Sequence, residues 1–564
     1  MSSTPLIECV PNFSEGVDMT IIDAITAEIS DTEGVKLLDV DPGKATNRTV
    51  VTFVGPPEPV IEAAFRAIKK AGELIDMSKH QGEHPRMGAT DVCPLIPIAD
   101  ISMEETVKYA EKLGERVGKE LAIPVYLYES AARHPDRENL ATIRSGEYEG
   151  LAKKMTDSHW KPDFGPESFN AKSGATVIGA RDFLVAYNVN LNSTSVRRAN
   201  AIAFDIRENG RIKRKGNPVT GDIVRDDQGN ALRVPGMLKS VKAIGWYIKE
   251  YGIAQISMNL TDINVTSLHE AFEATVQSAT SRGLRVTGSE LVGLVPKKVL
   301  IDAGKHFLKK QKRSTGISEE EIIHIAIKSL GLDELAPFNP KKKVIEYLLE
   351  DSANAPLIKL NLTQFASETA SESPAPGGGS ISAYVGALGA ALGTMVANLS
   401  SHKRGWDSRW EYFSDAADRG QQVLNRLLGL VDEDTAAFNG IMAAVKMPKA
   451  TESEKKARKK AMHSATINAI EVPLKIMETS SAAYEMLTDM AKNGNPASAS
   501  DAGVGALCCH AAIHGAYLNV QINCAGFGDK DYVTMALEKG RKILDDSETQ
   551  KNLILSAVQD HIDA

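Results

Sequence analysis

Between positions 82 and 91 the chain runs Gly82, Glu83, His84, Pro85, Arg86, Met87, Gly88, Ala89, Thr90, Asp91, crowding an imidazole, a guanidinium and two carboxylates into one turn. An imidazole titrates near neutrality and can both take and return a proton, while a guanidinium beside it can hold a carboxylate. Pro85 fixes its own φ and biases His84 away from helical angles, so these groups stand on a stiff loop, where chemistry is commonly carried. On composition alone, a helix cap at His84 and an ordinary surface charge at Arg86 account for the same residues equally well.

Two further stretches have chemical potential. Residues 374–380 read P-A-P-G-G-G-S, with Gly377, Gly378, Gly379 and Ser380 directly before a long apolar pattern of helical period. Glycines there let backbone N–H groups converge at a helix N-terminus, where unpaired donors and the dipole attract an anion or an electron-rich group. No Lys-Ser or Lys-Thr follows and G-x-G-x-x-G is absent, which argues against a nucleotide phosphate. Residues 430–438, L-V-D-E-D-T-A-A-F, set Asp432, Glu433 and Asp434 at the expected junction of two helices. One of these acids can serve as a base, or all can merely cap a helix. Near the amino end, Asn12 and Asp41 stand where strand-like runs finish, and ligands of open α/β sheets collect at such ends. Asn12, Asp41 and His84 are expected to converge on one cleft.

The elements that must position these residues change character along the chain. Runs at 6–10, 35–40, 49–54, 92–98 and 125–128 read as strands, with helices at 18–29, 58–75 and 103–121 between them. After a Pro/Gly/Ser-rich lapse at 160–174, strands are expected at 183–191, 241–247, 254–260 and 284–287 with helices at 196–208 and 267–281. That order suits a ferredoxin-like βαββαβ unit. A helical pair at 318–330 and 340–349 follows, then a polar link. Beyond it only helical patterns remain, at 408–430, 434–445, 452–480 and 497–523. The expected fold class is therefore α/β (α+β) in two ferredoxin-like subdomains, 1–180 and 181–335, with a linker at 336–360 and an all-α bundle at 361–564.

With 564 residues, 43% of them hydrophobic, the chain exceeds what one core supports. Its five cysteines form no C-x-x-C pair and its first residues lack the regions of a secretory signal, so a cytoplasmic location is expected. A formal charge of −8 argues against nucleic acid and anionic membranes as partners, and no His/Cys array has metal-ligand spacing. Residues 373–401 carry no charge and satisfy a membrane-span filter by length, but their Ala/Gly/Ser content points to a buried bundle helix. In it Ile381, Val385, Leu388, Leu392, Met395 and Leu399 form a stripe expected to fill the core. Gly386, Gly389 and Gly393 would admit a second helix, in the same subunit or across a dimer.

Several of these stretches, together with N-R-T-V-V-T-F-V-G-P-P at 47–57, E-C-V-P-N-F-S-E-G at 8–16, D-F-G-P at 163–166 and L-V-G-L-V-P at 291–296, resemble the bifunctional formimidoyltransferase-cyclodeaminase family over nearly the whole chain. The resemblance implies transfer of a formimino group from N-formimino-L-glutamate to tetrahydrofolate, then cyclisation to 5,10-methenyltetrahydrofolate with loss of ammonia. By it His84 would be the transferase acid/base, with Asp41 orienting it and Asn12 and Arg86 meeting substrate. Gly165, Pro166, Glu167, Ser168, Phe169, Asn170, Ala171, Lys172, Ser173 and Gly174 would be the folate-binding loop. Asp434 would be the cyclodeaminase acid/base beside a folate-holding turn at Gly377, Gly378, Gly379 and Ser380, and the helical domain would form a homodimer or higher homo-oligomer. Basic runs at 211–215 and 309–313 are candidate contacts for a polyglutamylated folate tail. Two rivals remain at this level: a helical domain that only assembles subunits, and one that acts as a methenyltetrahydrofolate cyclohydrolase.

Overall fold

The computed structural model describes residues 5–44, 46–82, 85–217, 220–349 and 356–563; Glu83 and His84 lie outside these. The chain divides into two compact units, residues 1–299 with 330–348, and residues 300–329 with 349–564.

In the first unit, β1 (Leu6–Cys9) and β2 (Asn12–Phe13) are one strand interrupted at Pro11, and α1 (Met19–Ser30), capped by Asp18, follows. β3 (Lys36–Gly43), β4 (Arg48–Gly55), α2 (Pro57–Leu74), β5 (Thr90–Ala99), α3 (Met103–Glu120) and β6 (Val125–Glu129) continue the alternation. Two short helices, α4 (Leu140–Ile143) and α5 (Glu147–Lys154), precede β7 (Thr176–Ala180). The broken first strand pairs antiparallel with β4 on one side and β5 on the other, and β3 lies beyond β4. β7 then pairs parallel with both β5 and β6.

Successive strand residues face opposite sides of a sheet. Ile7, Cys9, Phe13, Val51, Phe53, Cys93 and Leu95 turn one way and form a core with Ile25, Ile29, Ile61, Ile68, Leu113 and Val117 of the helices. The residues between them, Glu8, Val10, Asn12, Val50, Thr52, Val92 and Pro94, turn the other way and floor a cavity.

The second half of this unit follows the expected βαββαβ order. It consists of β8 (Val185–Leu191), α6 (Val196–Ile206), a small hairpin of β9 (Arg211–Ile212) and β10 (Arg233–Val234), β11 (Val241–Ile248), β12 (Ile253–Leu260), α7 (Leu268–Ser281) and β13 (Val286–Val292). The sheet runs β11-β12-β8-β13, all antiparallel. The same spatial order holds for β3, β4, the broken first strand and β5, so both halves of the unit repeat one split-βαβ plan.

Three readings change here. β7 was not expected: it lies next to the loop taken as a subdomain boundary, and as a central parallel strand buried on both faces it shows a continuous small-apolar run instead of alternation. β13 runs to Val292 and so includes part of the L-V-G-L-V-P motif, beyond the expected end at 287. The helix expected at 340–349 is broken into α10 (Pro340–Lys343) and α11 (Ile345–Leu349), because Val344 between them bridges to Val295.

The division between units falls inside α8 (Lys297–Lys310), and α9 (Glu319–Leu330) ends where the chain returns to the first unit. Residues 300–329 pack with the helical unit: Lys305 pairs with Asp418 at 2.6 Å, and the Thr315 N–H donates to Ser414 Oγ at 2.9 Å. A boundary at 335 followed by a linker at 336–360 is thus replaced by a chain that passes between units more than once, with α10 and α11 inside the span read as linker.

The helical unit continues with α12 (Leu362–Thr369), α13 (Gly378–Ser401), α14 (Trp410–Lys446), α15 (Glu452–Ser481), α16 (Ala483–Asn493), α17 (Ala499–Cys524) and α18 (Lys530–Asp563). α14 is one helix of 37 residues where two were expected, and α16 and the 34-residue α18 were not anticipated. α13 is long and apolar enough to cross a membrane, and most of it is buried within the bundle. Its large-residue stripe does not fill the core as expected, while its glycine face receives neighbouring helices as expected. The small-residue face, Ala383, Gly386, Ala387, Gly389, Ala390 and Gly393, is buried, whereas Leu388, Met395 and Leu399 are 44%, 38% and 46% exposed. A side chain at Gly386 would meet Ser480 Oγ at 2.6 Å and one at Gly389 would meet Cys509 Sγ at 2.7 Å. Neighbouring helices approach the α13 backbone so closely that only glycine fits.

Candidate active sites

The cavity floored by the first sheet is about 430 Å³ and is walled by Asp39, Asp41, Arg48, Tyr128, Arg144 and Arg181, with Asn259 and Val292 contributed by the second half. A neighbouring cavity of about 740 Å³ shares Tyr128, Arg144, Arg181 and Asn259 with it and includes Pro85, the residue after His84. Asn12 is buried at the floor; its amide donates to the Val10 carbonyl at 2.9 Å and its oxygen accepts from Arg48. Burial pushes the Arg48 guanidinium down to about 10 and the Asp39 carboxyl up. Asp41 stands exposed on the wall, so the cavity brings Asn12 and Asp41 together as expected. The placement of His84 beside them lies outside the described residues.

Both flanks of His84 are fastened. Before it, His80 Nε2 donates to the Asn47 carbonyl at 2.9 Å and the Asn47 amide donates to the Gln81 carbonyl at 2.8 Å. After it, the buried Arg86 guanidinium donates to Glu149 at 2.7 and 2.9 Å, to Glu147 at 3.1 Å and, through Nε, to His80 Nδ1 at 3.2 Å. With that many partners Arg86 acts as a clamp on the histidine loop. Asp91, wholly buried, pairs with Arg144 and accepts the Met87 N–H at 3.0 Å, tying the same loop to the cavity wall.

The loop from Gly165 to Gly174 lines neither cavity. It buttresses the histidine loop from behind: Gly88 bridges to Gly174, the Ala89 N–H donates to the Ser173 carbonyl at 2.8 Å, and Tyr148 packs on Phe169. Gly174 adopts φ +67° against the Met87 carbonyl, a left-handed conformation in a space without room for a side chain.

In the helical unit the acid triplet divides into three roles, because successive residues of a continuous helix point about 100° apart. Asp432 is buried and accepts the Leu357 and Ile358 N–H groups at 2.9 and 3.3 Å. Glu433 pairs with Arg426 at the surface. Asp434 faces the glycine turn: Ser380 Oγ lies 3.2 Å from its Oδ2, 2.8 Å from the Val431 carbonyl and 3.1 Å from Thr435 Oγ1. Burial raises the Asp434 carboxyl above the ordinary range, with the Ser380 hydrogen bonds opposing. None of these acids caps a helix. Sequence reading missed Asn519 of α17, whose amide nitrogen would lie 3.2 Å from a Cβ at Gly378; it sits within an apolar helical pattern that hides a polar role.

A Cβ at Gly379 would overlap the Asp434 carboxylate. Gly379→Ala is therefore expected to cut any reaction that uses this carboxylate about a hundredfold, the cost of displacing a group by about 1 Å. Chemistry in the cavity of the α/β unit, measured on the same preparation, should be unchanged.

A mixed α/β unit with an arginine-walled polar cleft, joined to a helical unit with a buried carboxylate under a glycine turn, defines a two-site enzyme. This chain belongs to the formimidoyltransferase-cyclodeaminase family. The formiminotransferase N-terminal subdomain matches residues 6–181, the formiminotransferase domain residues 186–350, and the formiminotransferase-cyclodeaminase domain residues 361–542. The formimidoyltransferase-cyclodeaminase of Mus musculus is 44% identical over 98% of this chain and 99% of its own length. A glutamate formimidoyltransferase of Thermoplasma acidophilum is 44% identical over 54% of this chain and 92% of its own. A methenyltetrahydrofolate cyclohydrolase of Methylorubrum extorquens is 30% identical over 35% of this chain and 95% of its own.

Proposed function

We infer that the chain carries both activities of its family. It moves the formimino group of N-formimino-L-glutamate to N5 of tetrahydrofolate, then closes 5-formiminotetrahydrofolate to 5,10-methenyltetrahydrofolate with release of ammonia. The carrying observation is the near end-to-end likeness to bifunctional relatives, with both halves retained. In the first step His84 takes the N5 proton as N5 attacks the formimino carbon and returns a proton to the departing glutamate nitrogen. Asp41 orients that imidazole, Asn12 contacts the amidine, and the loop from Gly165 to Gly174 contacts folate. In the second, N10 attacks the same carbon, and Asp434 carries the proton from N10 to the leaving ammonia while the turn from Gly377 to Ser380 holds the folate.

The test is one assay on the full chain with formiminoglutamate and tetrahydrofolate, reading ammonia and methenyl-folate absorbance together. Equimolar appearance of both supports the reading. Formimino-folate without ammonia would leave the helical unit as a scaffold. The Methylorubrum cyclohydrolase favours one alternative, hydrolysis of methenyltetrahydrofolate, and loss of absorbance from supplied methenyl-folate at the rate of ammonia release would establish it.

We also propose a homodimer through the helical unit. Leu388, Met395 and Leu399 of α13 and Val504, Leu507, Leu518 and Ile522 of α17 are large, apolar and exposed. Leu388→Glu combined with Met395→Glu is expected to halve the mass seen by sedimentation; unchanged mass would place the interface elsewhere. The basic runs at 211–215 and 309–313 are the proposed contacts for a polyglutamate tail, where present. A cytoplasmic location accords with five cysteines that are all free thiols.

A further inference from the structure

The transferase cavity has a charged group at its floor that the roles above leave unused. Glu8 is 2% exposed, lies on the cavity side of β1, and receives no hydrogen bond from any described residue. A buried carboxyl without a donor is costly, and natural proteins keep one chiefly where a ligand or a reaction uses it. Its own strand neighbours, Ile7 and Cys9, face the opposite core, so the alternation of β1 aims this carboxyl into the cavity and nowhere else.

We propose that Glu8 is the specificity-determining residue of this cavity, its carboxylate taking the planar N–C–N donor edge of a bound substrate. Both substrates present such an edge: the amidine of the formimino donor, and the 2-amino-4-oxopyrimidine side of the folate ring. Two parallel N–H donors match the two oxygens of a carboxylate, the pairing that gives both strength and orientation. The proposal rests on the reaction assigned above.

The surroundings set how the pairing depends on pH. Burial raises the Glu8 carboxyl to about 7, with Arg181 pulling it down. The other charged or titratable groups on the cavity wall are Asp39 and Asp41 from β3, Arg48 from β4, Tyr128 from β6 and Arg144 beyond α4; the Cys9 thiol lies behind. The ionised form binds the donor edge. The KM of the substrate that Glu8 holds is therefore expected to fall as pH rises through about 7 in the wild type, while kcat changes less.

The experiment measures KM and kcat for formiminoglutamate and for tetrahydrofolate between pH 6 and 8, in full-length wild type and Glu8→Gln. The expected result is a KM raised about ten- to hundredfold at pH 8 for one substrate in Glu8→Gln, with its pH dependence gone. A change confined to formiminoglutamate assigns the amidine; one confined to tetrahydrofolate assigns the folate ring. A wild-type KM that is flat with pH for both substrates overturns the proposal without needing any variant. So does a Glu8→Gln protein that loses kcat alone. An unchanged melting temperature and retained kcat report that the α/β unit of Glu8→Gln is folded, and wild-type turnover separates failure of this inference from failure of the assigned reaction.

Discussion

A full-length Asp434→Ala protein is expected to convert formiminoglutamate and tetrahydrofolate into 5-formiminotetrahydrofolate at the wild-type rate and stop there. Ammonia release should fall about a hundred- to ten-thousand-fold, the usual contribution of a positioned proton-transfer group. The geometry singles this acid out from its neighbours: Asp432 is committed to two backbone N–H groups and Glu433 to a surface arginine, leaving Asp434 facing the turn at Gly379 and Ser380. Because burial holds its carboxyl above the ordinary value, the folded protein binds that proton more tightly than the unfolded chain. Stability from this group therefore falls as pH rises from the ordinary carboxylate range through the raised value, and above it the buried charge is a standing cost. Asp434→Asn removes the charge and should raise the melting temperature of the helical unit at pH 7 while abolishing ammonia release. A variant less stable than wild type at pH 7, or one still releasing ammonia within tenfold, would count against the assignment.

The mirror experiment is His84→Ala. Formimino transfer should drop by about a hundred- to ten-thousand-fold, while 5-formiminotetrahydrofolate supplied from outside is still cyclised. Removing the imidazole leaves the clamps around it intact: Arg86 on Glu147 and Glu149, Asp91 on Arg144 and Met87, and Asn47 on Gln81. The loss should consequently appear in kcat more than in KM or in melting temperature. If the variant transfers within tenfold of wild type, the proton is carried by another group and His84 is not the acid/base.

Much of this was readable in the residues before any coordinates. Short β-rich runs placed β1, β4 and β5, and the βαββαβ order of the second half follows from strands and helices of the expected type. Where reading failed, the pattern itself was ambiguous. β7 is short, small-residue and buried on both faces, so period-two alternation is absent. In α14, an acidic triplet looks like a helix start, yet Asp432 is paid for by the backbone donors of a segment distant in sequence, and nothing local announces that. The stripe on α13 was assigned inward because large residues usually fill cores, whereas helices that touch at glycine put the small face inside. Glu8 belongs to a motif visible in the chain, but its burial depends on the face a strand presents to a distant sheet.

The bonds from Leu357 and Ile358 to Asp432 place the chain's return into the helical unit two residues from Asp434 along the same helix. The turn at 356–360 and the Asp434 carboxylate thus hang on one short stretch of α14. A strain applied to the incoming chain is delivered to the acid with almost no intervening structure to absorb it. An autonomous version of the helical half must therefore carry this short leader with it, since cutting it away would strand Asp432 without donors and slacken the rung that holds Asp434 in register with the glycine turn.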